Sequence, residues 1–140
     1  MNNYAEKIEK INKISQNTLI ETLNIVFTEC DENTLKATMP VNSVVHQPFG
    51  YLHGGASIAL AETLGSYLSF LHVDTEQYNV FGLEVAANHL RAKKSGLLTG
   101  TATLRHKGRT THLVQIDIVD EENKLVCAVK MTNIVVKKEK

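Results

Sequence analysis

A short stretch of the chain places a glycine pair and a lone carboxylate on one predicted helix. Gly54 and Gly55 begin an apolar run that extends to about residue 72, and Glu62 is its only charged side chain. Glycines at a helix start leave backbone N–H groups uncovered, and the helix dipole adds partial positive charge there. A carboxylate in an apolar helix is costly unless it is solvated, hydrogen-bonded or functional. The pattern indicates an oxyanion site combined with a catalytic acid or base.

Each of these residues also has a purely structural interpretation. The glycine pair could serve a tight turn, and Glu62 could face solvent or pair with an arginine. His53 fits a hydrogen-bonding residue at the helix entry, and Gln47 alone carries no signal. Ser66, four residues beyond Glu62 and on the same helical face, could hold that carboxylate or a water molecule. Their joint occurrence within twenty residues favours a functional site.

The spacing between the glycines and the carboxylate has a consequence for assembly. Glu62 lies eight residues beyond Gly54, which is about 12 Å along a helix at ~1.5 Å per residue. The carboxylate therefore cannot act on a carbonyl bound at its own helix start. If both groups serve one reaction, a two-fold dimer with antiparallel central helices is required. Symmetry then predicts that the helices cross near Ile58, where Ala56, Ala59 and Ser57 could be small enough for the two backbones to approach closely.

The remaining sequence supplies the elements that must position this helix. Helical spacing predicts an amphipathic helix near the N-terminus, and the segment 24–41 reads as a β-hairpin with a turn at Asp31-Glu32-Asn33. Four long strand-like stretches follow the central helix: 79–92, 97–107, 109–120 and 124–136. Short connections favour an antiparallel meander that the hairpin joins. The predicted class is α+β, with one sheet curled around one helix.

Length and composition limit the possible functions. The chain has 140 residues, 43% of them hydrophobic, so residues 1–140 are expected to form one domain with one core. Fifteen basic and fifteen acidic residues balance, which argues against bulk attraction to nucleic acid or to an acidic membrane. With no apolar run of about 20 residues and a polar start, we expect a cytoplasmic protein. Cys30 and Cys127 are expected to be buried, reduced thiols.

The central motif resembles a known enzyme family. It resembles hotdog-fold thioesterases of the phenylacetic-acid-degradation type, and most of all the dihydroxynaphthoyl-CoA thioesterases and aryl-carrier-protein proofreading thioesterases. The resemblance covers roughly residues 35–136. It rests first on Gln47-Pro48-Phe49-Gly50, Leu52-His53-Gly54-Gly55-Ala56-Ser57, Leu60-Ala61-Glu62 and Gly65-Ser66, and then on Gly82-Leu83-Glu84-Val85, Ala87-Asn88-His89-Leu90-Arg91 and Gln115-Ile116-Asp117-Ile118. It implies the hotdog fold, a long helix wrapped by an antiparallel sheet.

The resemblance also implies catalytic roles. Glu62 acts as nucleophile or as general base on water, and Ser66 positions the water or the carboxylate. Gln47, His53 and the backbone N–H of Gly54 come from the other subunit, where they polarise the thioester carbonyl and orient the thioester or assist the departing thiolate. The sequence leaves open whether an anhydride forms or water attacks directly.

Coenzyme A is expected to be part of the substrate and not a cofactor. The residues expected to bind the substrate are Gly55, His89, Arg91, Gly108 and Arg109. His89 could equally be a hydrogen-bonded strand residue. A cationic group at the ends of adjacent predicted strands could meet phosphates, although a solvated face is the alternative: Arg91, Lys93, Lys94, Arg105, Lys107 and Arg109. The six histidines lack a tight ligand motif, so no catalytic metal is predicted.

These inferences predict an acyl-CoA thioesterase acting on an aryl or medium-sized acyl group, as a homodimer or homotetramer without nucleic-acid or membrane partners. Compatible substrates are dihydroxynaphthoyl-CoA of menaquinone biosynthesis, phenylacetyl-type CoA esters and misprimed aryl carrier proteins. Phe49, Tyr67 and Phe81 could line the acyl pocket or belong to the core. A hotdog dehydratase acting on hydroxyacyl thioesters and a non-catalytic acyl-CoA-binding module are the alternatives.

Overall fold

A computed structural model describes residues 3–140, and its first part is helical. Helix α1 spans Tyr4–Ile14, and a short helix α2, which the sequence analysis did not predict, spans Leu19–Thr22. Asn12 of α1 accepts from the Phe27 N–H and donates to the Phe27 carbonyl, each at 2.9 Å. Phe27 is in the first strand, which is at the edge of the sheet and pairs with another strand on one side only. The two bonds from Asn12 satisfy backbone groups on the unpaired side.

The body of the molecule is one six-stranded antiparallel sheet that packs against the long helix α3, Gly54–Phe70. The hairpin, the central helix and the four later strands agree with the sequence prediction within a few residues. In spatial order the sheet runs β1-β2-β4-β5-β6-β3. The strands are β1 Val26–Cys30, β2 Thr34–Val41, β3 Tyr78–His89, β4 Gly96–Lys107, β5 Thr111–Val119 and β6 Leu125–Lys137.

The sheet order corrects the expectation of a simple meander. Strands β4, β5 and β6 do follow one another, but β3 pairs with β6 at the far edge and not with β4. Strand β4 has β2 on one side and β5 on the other, so β6 offers the remaining edge. Alternating hydrophobicity specifies which face a strand buries and does not specify its neighbour.

One face of α3 forms the core with the sheet. Leu60, Leu64 and Leu68 recur at four-residue spacing and are fully buried, as are Met39 and Met131 on the strands. Burying such a side chain stabilises the fold by roughly 1.5–3 kcal/mol. Of the positions between these leucines, Ala61 and Gly65 are also buried, whereas Glu62 is exposed.

The same burial pattern corrects one expectation about the helix face. Ala56 and Ser57 are buried within their own chain and are not available for a helix–helix contact, whereas Ala59 is half-buried. Asn133 on β6 donates to the Gly65 carbonyl at 3.0 Å and to Ser69 Oγ at 2.7 Å, which fixes α3 against the sheet. In the part of the chain that the structure describes, no helix is both long and apolar enough to cross a bilayer.

Candidate active site

The start of α3 presents one uncommitted backbone donor. His53 is the N-cap of the helix, and its Nδ1 accepts from the Gly55 N–H at 2.8 Å. The Ala56 N–H bonds to the His53 carbonyl at 3.0 Å. Within residues 3–140 the Gly54 N–H makes no hydrogen bond. The helix-entry interpretation of His53 is therefore confirmed, and Gly54, not Gly55, carries the amide open to a ligand.

A cavity of about 550 Å³ lies beside this amide. It brings together four of the residues singled out from the sequence: Gln47, Gly54, His89 and Arg91. The His89 ring rests on the glycine, because a Cβ added at Gly54 would lie 3.0 Å from its Cε1 and Nε2. Gln47 Oε1 accepts from the Phe49 N–H at 2.5 Å, so the side-chain oxygen of Gln47 is held by its own loop. An amide donor, an imidazole and a guanidinium thus share one opening.

Glu62 and Ser66 lie elsewhere in the same chain. Glu62 is exposed on α3 and does not line the cavity at Gly54. Its carboxylate lies against Gly82 on β3, where an added Cβ would be 2.8 Å from Glu62 Oε1. No hydrogen bond joins Ser66 to Glu62 among the described residues. Because Gly54 and Glu62 belong to one unbroken helix, the separation of about 12 Å expected along it holds within the single chain.

Gly108 and Arg109 line a second cavity of about 410 Å³, together with His72, Lys107 and His112. It lies where α3 ends, at the opposite end of the sheet from Arg91. Strand β4 runs from Gly96 to Lys107, so residues 91–94 and residues 105–109 lie at its opposite ends. The six cations grouped from the sequence are therefore two groups and not one cluster. The prediction of a single cationic cluster was wrong.

The cations nearest Arg91 are engaged by neighbouring groups. Lys93 pairs with Glu121 at 2.9 Å, and Lys94 lies 5.0 Å from the centre of the Tyr51 ring. Glu121 also accepts from the Leu97 N–H, and this bond together with Lys93 lowers the pKa of that carboxyl to about 2. Since Glu121 is charged at neutral pH, it anchors the connection that carries Arg91.

His112 is a residue that sequence reasoning missed. It is almost completely buried, and its Nδ1 has no partner among the described residues. Burial lowers the pKa of both His112 and His72, because it disfavours the charged form of each ring. The signal was present in the alternation of β5, where His112 occupies the same inward face as Val114, Ile116 and Ile118.

A third, mostly apolar cavity of about 270 Å³ lies on the other side of the helix start. Its lining includes Leu19, Leu23, Val44, His53 and Ala59. None of the aromatic residues considered for an acyl pocket lines any of these three cavities. Phe49 and Phe81 are exposed, and Tyr67 packs edge-on against buried Phe27 with ring centroids 5.0 Å apart. For Tyr67 the core interpretation holds.

Neither cysteine is in a disulfide; Cys127 is buried as expected, whereas Cys30 is only half-buried. Within residues 3–140 no three His, Cys, Asp or Glu side chains are grouped so as to hold a metal ion.

A six-stranded antiparallel sheet packed around one long helix is the architecture that this chain shares with solved thioesterase structures. The sequence pattern of the thioesterase superfamily matches residues 49–127, and the chain belongs to that superfamily. Its fold is the hotdog fold, and it is a thioester hydrolase.

Individual relatives match over nearly the whole chain. The 1,4-dihydroxy-2-naphthoyl-CoA hydrolase of Escherichia coli is 41% identical over 125 residues, covering 89% of this chain and 91% of the relative. The proofreading thioesterase EntH of Cronobacter sakazakii is 42% identical over 125 residues, covering 89% and 90%. The crystal structure of a mutant thioesterase from Pseudomonas aeruginosa superposes with a TM-score of 0.92 at 46% identity, covering 94% of each chain.

Proposed function

We propose that this enzyme hydrolyses an aryl or medium-sized acyl-CoA thioester at two sites, each shared by two protomers. One observation carries the proposal: α3 holds both an open amide at Gly54 and an exposed carboxylate at Glu62, too far apart along one helix to meet at the same carbonyl. A two-fold axis beside the helix would place each amide opposite the partner's carboxylate.

The edge strand β3 supports this dimer. Within the described residues it is paired only with β6, so its other edge offers twelve residues of backbone to a second strand. Phe81 and Leu83 on this strand are 55% and 62% exposed. Long, apolar, unprotected edges are unusual in isolated proteins and invite pairing with another chain. Antiparallel pairing of two β3 strands would join the two sheets and align the central helices antiparallel.

The chemistry follows from the two groups. The thioester oxygen accepts from the Gly54 N–H at the positive end of the helix dipole, which stabilises the charge of the tetrahedral intermediate. The partner's Glu62 takes a proton from the attacking water, the carbon–sulfur bond breaks, and the thiolate recovers that proton. An attack by the carboxylate itself, through an anhydride, uses the same geometry. Gln47 and His53 orient the thioester, and Ser66 positions the water once the second chain completes the site.

The two cation-lined cavities fit the coenzyme A portion. If Gly54 lies opposite the partner's Glu62, the last residue of one α3, Phe70, would extend about 12 Å past the start of the partner's helix. The cavity with Gly108 and Arg109 would then lie at the same end of the dimer as the partner's cavity with His89 and Arg91. Guanidinium groups bind phosphates through two parallel hydrogen bonds. Arg91 and Arg109 are the proposed phosphate ligands.

The apolar cavity beside His53 supports the proposed acyl class. Its volume of about 270 Å³ suits one or two aromatic rings, and the side chains that line it are largely aliphatic. A relative that is 41% identical is named for dihydroxynaphthoyl-CoA hydrolysis. Dihydroxynaphthoyl-CoA is therefore the first candidate substrate for this enzyme, and this function would place it in the cytoplasm.

Filling the apolar cavity should change selectivity among acyl groups. Val44 is 60% exposed at the rim of the cavity, so Val44→Trp should leave the fold intact while occupying the acyl space. We expect kcat/KM for benzoyl-CoA to fall about tenfold or more, with a smaller loss for acetyl-CoA. Val26→Trp is the matched control, because Val26 is similarly exposed on β1 and does not line this cavity. Equal losses for both substrates would place the acyl group elsewhere.

Gly82 should control the position of the Glu62 carboxylate. Gly82→Ala would put a Cβ 2.8 Å from Glu62 Oε1 and 3.0 Å from Met131 Cε, both ends of flexible side chains. The side chains can move aside, so the midpoint of thermal unfolding should change little. Displacing a catalytic group by about 1 Å can cost up to 10²-fold, and we expect kcat to fall at least tenfold. A variant with unchanged kcat would mean that this carboxylate position is not the reactive one.

A panel of thioesters tests the function directly. Thiol release should be measured for benzoyl-CoA, phenylacetyl-CoA, dihydroxynaphthoyl-CoA and an aryl-loaded carrier protein, with hydration of an enoyl-CoA as a separate assay. The proposal expects the highest kcat/KM for an aryl-CoA. Faster turnover of the carrier protein would assign a proofreading role, and enoyl hydration without thiol release would indicate a dehydratase. Binding without turnover would identify a binding module.

A further inference from the structure

His89 is held on two sides at the end of β3. It pairs in register with Cys127 on β6, and Cys127 Sγ lies 3.6 Å from His89 Nδ1. The opposite edge of the ring, Cε1 and Nε2, lies over Gly54. The imidazole is therefore fixed between a buried thiol and the open amide of the helix start, with its outer face in the cavity that Arg91 also lines.

The thiol itself is unsuited to direct chemistry. Cys127 is fully buried, and burial raises the pKa of its thiol. A nucleophilic cysteine needs a thiolate and access to substrate, and Cys127 has neither. It remains a neutral thiol, whose S–H is a weak hydrogen-bond donor. Within residues 3–140, its only hydrogen-bond partner is His89 Nδ1.

A proton donated to Nδ1 has a consequence at the other nitrogen. In a neutral imidazole one nitrogen accepts and the other carries the hydrogen, so an accepting Nδ1 requires Nε2–H. Nε2 is on the ring edge that lies against Gly54, 3.0 Å from where a Cβ of that residue would be, and His89 and Gly54 line the same cavity. The opposite tautomer would direct a lone pair at the thioester oxygen, where it would repel the developing charge.

We propose that Cys127 is a positioning residue that holds His89 as the Nε2–H tautomer, so that His89 presents a second hydrogen-bond donor to the thioester beside the Gly54 amide. The inference rests on the proposed function in placing the thioester at Gly54.

Two substitutions separate positioning from packing. Cys127→Ser keeps a donor on the same Cβ but places a hydroxyl in the core, whereas Cys127→Val packs an apolar side chain and removes the donor. If Cys127 only packs, the valine variant should be the more stable and the more active of the two. If Cys127 positions His89, the serine variant should retain more activity even though it is the less stable.

The readouts are steady-state kinetics with benzoyl-CoA and the ¹⁵N chemical shifts of the His89 ring in the intact protein. We expect Nε2–H in the parent and in Cys127→Ser, and a mixture of tautomers in Cys127→Val. Loss of one modest hydrogen bond predicts a fall in kcat of roughly three- to tenfold for Cys127→Val, with KM nearly unchanged. Thermal unfolding of each variant records the stability order independently.

The outcomes distinguish this inference from the proposed function. An unchanged His89 tautomer in Cys127→Val would overturn the positioning role and leave the proposed function untouched. A change of the His89 tautomer with no change in kcat would show that the tautomer does not affect the reaction, and it would overturn the catalytic part of the inference. If Gly54→Pro were also fully active, the reason would be that the thioester does not bind at Gly54. If Cys127→Val is both more stable and more active than Cys127→Ser, Cys127 contributes only packing.

Discussion

Glu62→Gln is expected to lower kcat by roughly 10²–10⁴-fold, the range for loss of a general acid–base group. Glutamine preserves the shape of the side chain but can neither take a proton from water nor attack a carbonyl. Because Glu62 is exposed in the protomer, the free energy of unfolding should change by no more than about 0.5 kcal/mol. The measurement is kcat and KM for an aryl-CoA, with thermal unfolding alongside.

Glu9→Gln provides the matched control for this substitution. Glu9 is an exposed carboxylate on α1, away from the proposed site and from β3, the proposed dimer edge. Its replacement changes the net charge equally and should leave kcat within a factor of about two, as expected for a surface change. Near-parental turnover of Glu62→Gln would remove that carboxylate from the mechanism, whatever the control shows.

Gly54→Pro is expected to lower kcat by about 10²–10³-fold, the typical effect of losing one oxyanion donor. Proline removes the open N–H but is well tolerated at the first position of a helix. The preceding residue, His53, already has an extended backbone with ψ 128°, which suits a residue before proline. Because the Gly54 N–H makes no hydrogen bond within residues 3–140, its loss should cost the fold little.

Gly54→Ala separates the donor from the side chain. Both substitutions add a Cβ at the same place, 3.0 Å from the His89 ring, but alanine keeps the N–H. The alanine variant therefore reports the effect of crowding His89, and the further loss in the proline variant reports the amide. If the two variants lose the same activity, the amide of Gly54 contributes nothing to the reaction.

Mixing the two inactive variants tests whether each site is shared. In a heterodimer of Glu62→Gln and Gly54→Pro chains, one site carries both defects and the other pairs an intact carboxylate with an intact amide. Random reassociation makes half of the dimers heterodimers, so about one quarter of parental activity should return. Activity that stays at the level of the separate variants, with heterodimers shown by mass, would mean that both groups act within one chain.

Local patterns were sufficient for the elements and for the shared-site hypothesis. The leucines at 60, 64 and 68 predict the buried face of α3, and the eight-residue interval from Gly54 to Glu62 predicts their separation. Both follow from the fixed rise and turn of a helix. The N-cap role of His53 was also accessible, since capping depends on neighbours in sequence.

Such local patterns do not predict contacts between residues that are far apart in sequence. The contact of His89 with Cys127 joins positions 38 apart, and it exists because β3 took the free edge of β6 in one particular register. The close approach of Gly82 to Glu62 depends on that same edge position. A shift of one residue would have turned each of these side chains to the opposite face.

The sequence by itself determined the α+β layer, the helix that carries the chemistry, and a spacing of amide and carboxylate that one chain cannot close. Only the tertiary structure decided which cations share a cavity, that the apolar cavity is lined from α2, and that the Gly54 amide is left open while Gly55 is capped. The physical reason is the range of the forces involved. Helix geometry is set by adjacent residues, whereas cavities and cross-strand contacts are set by how whole elements pack.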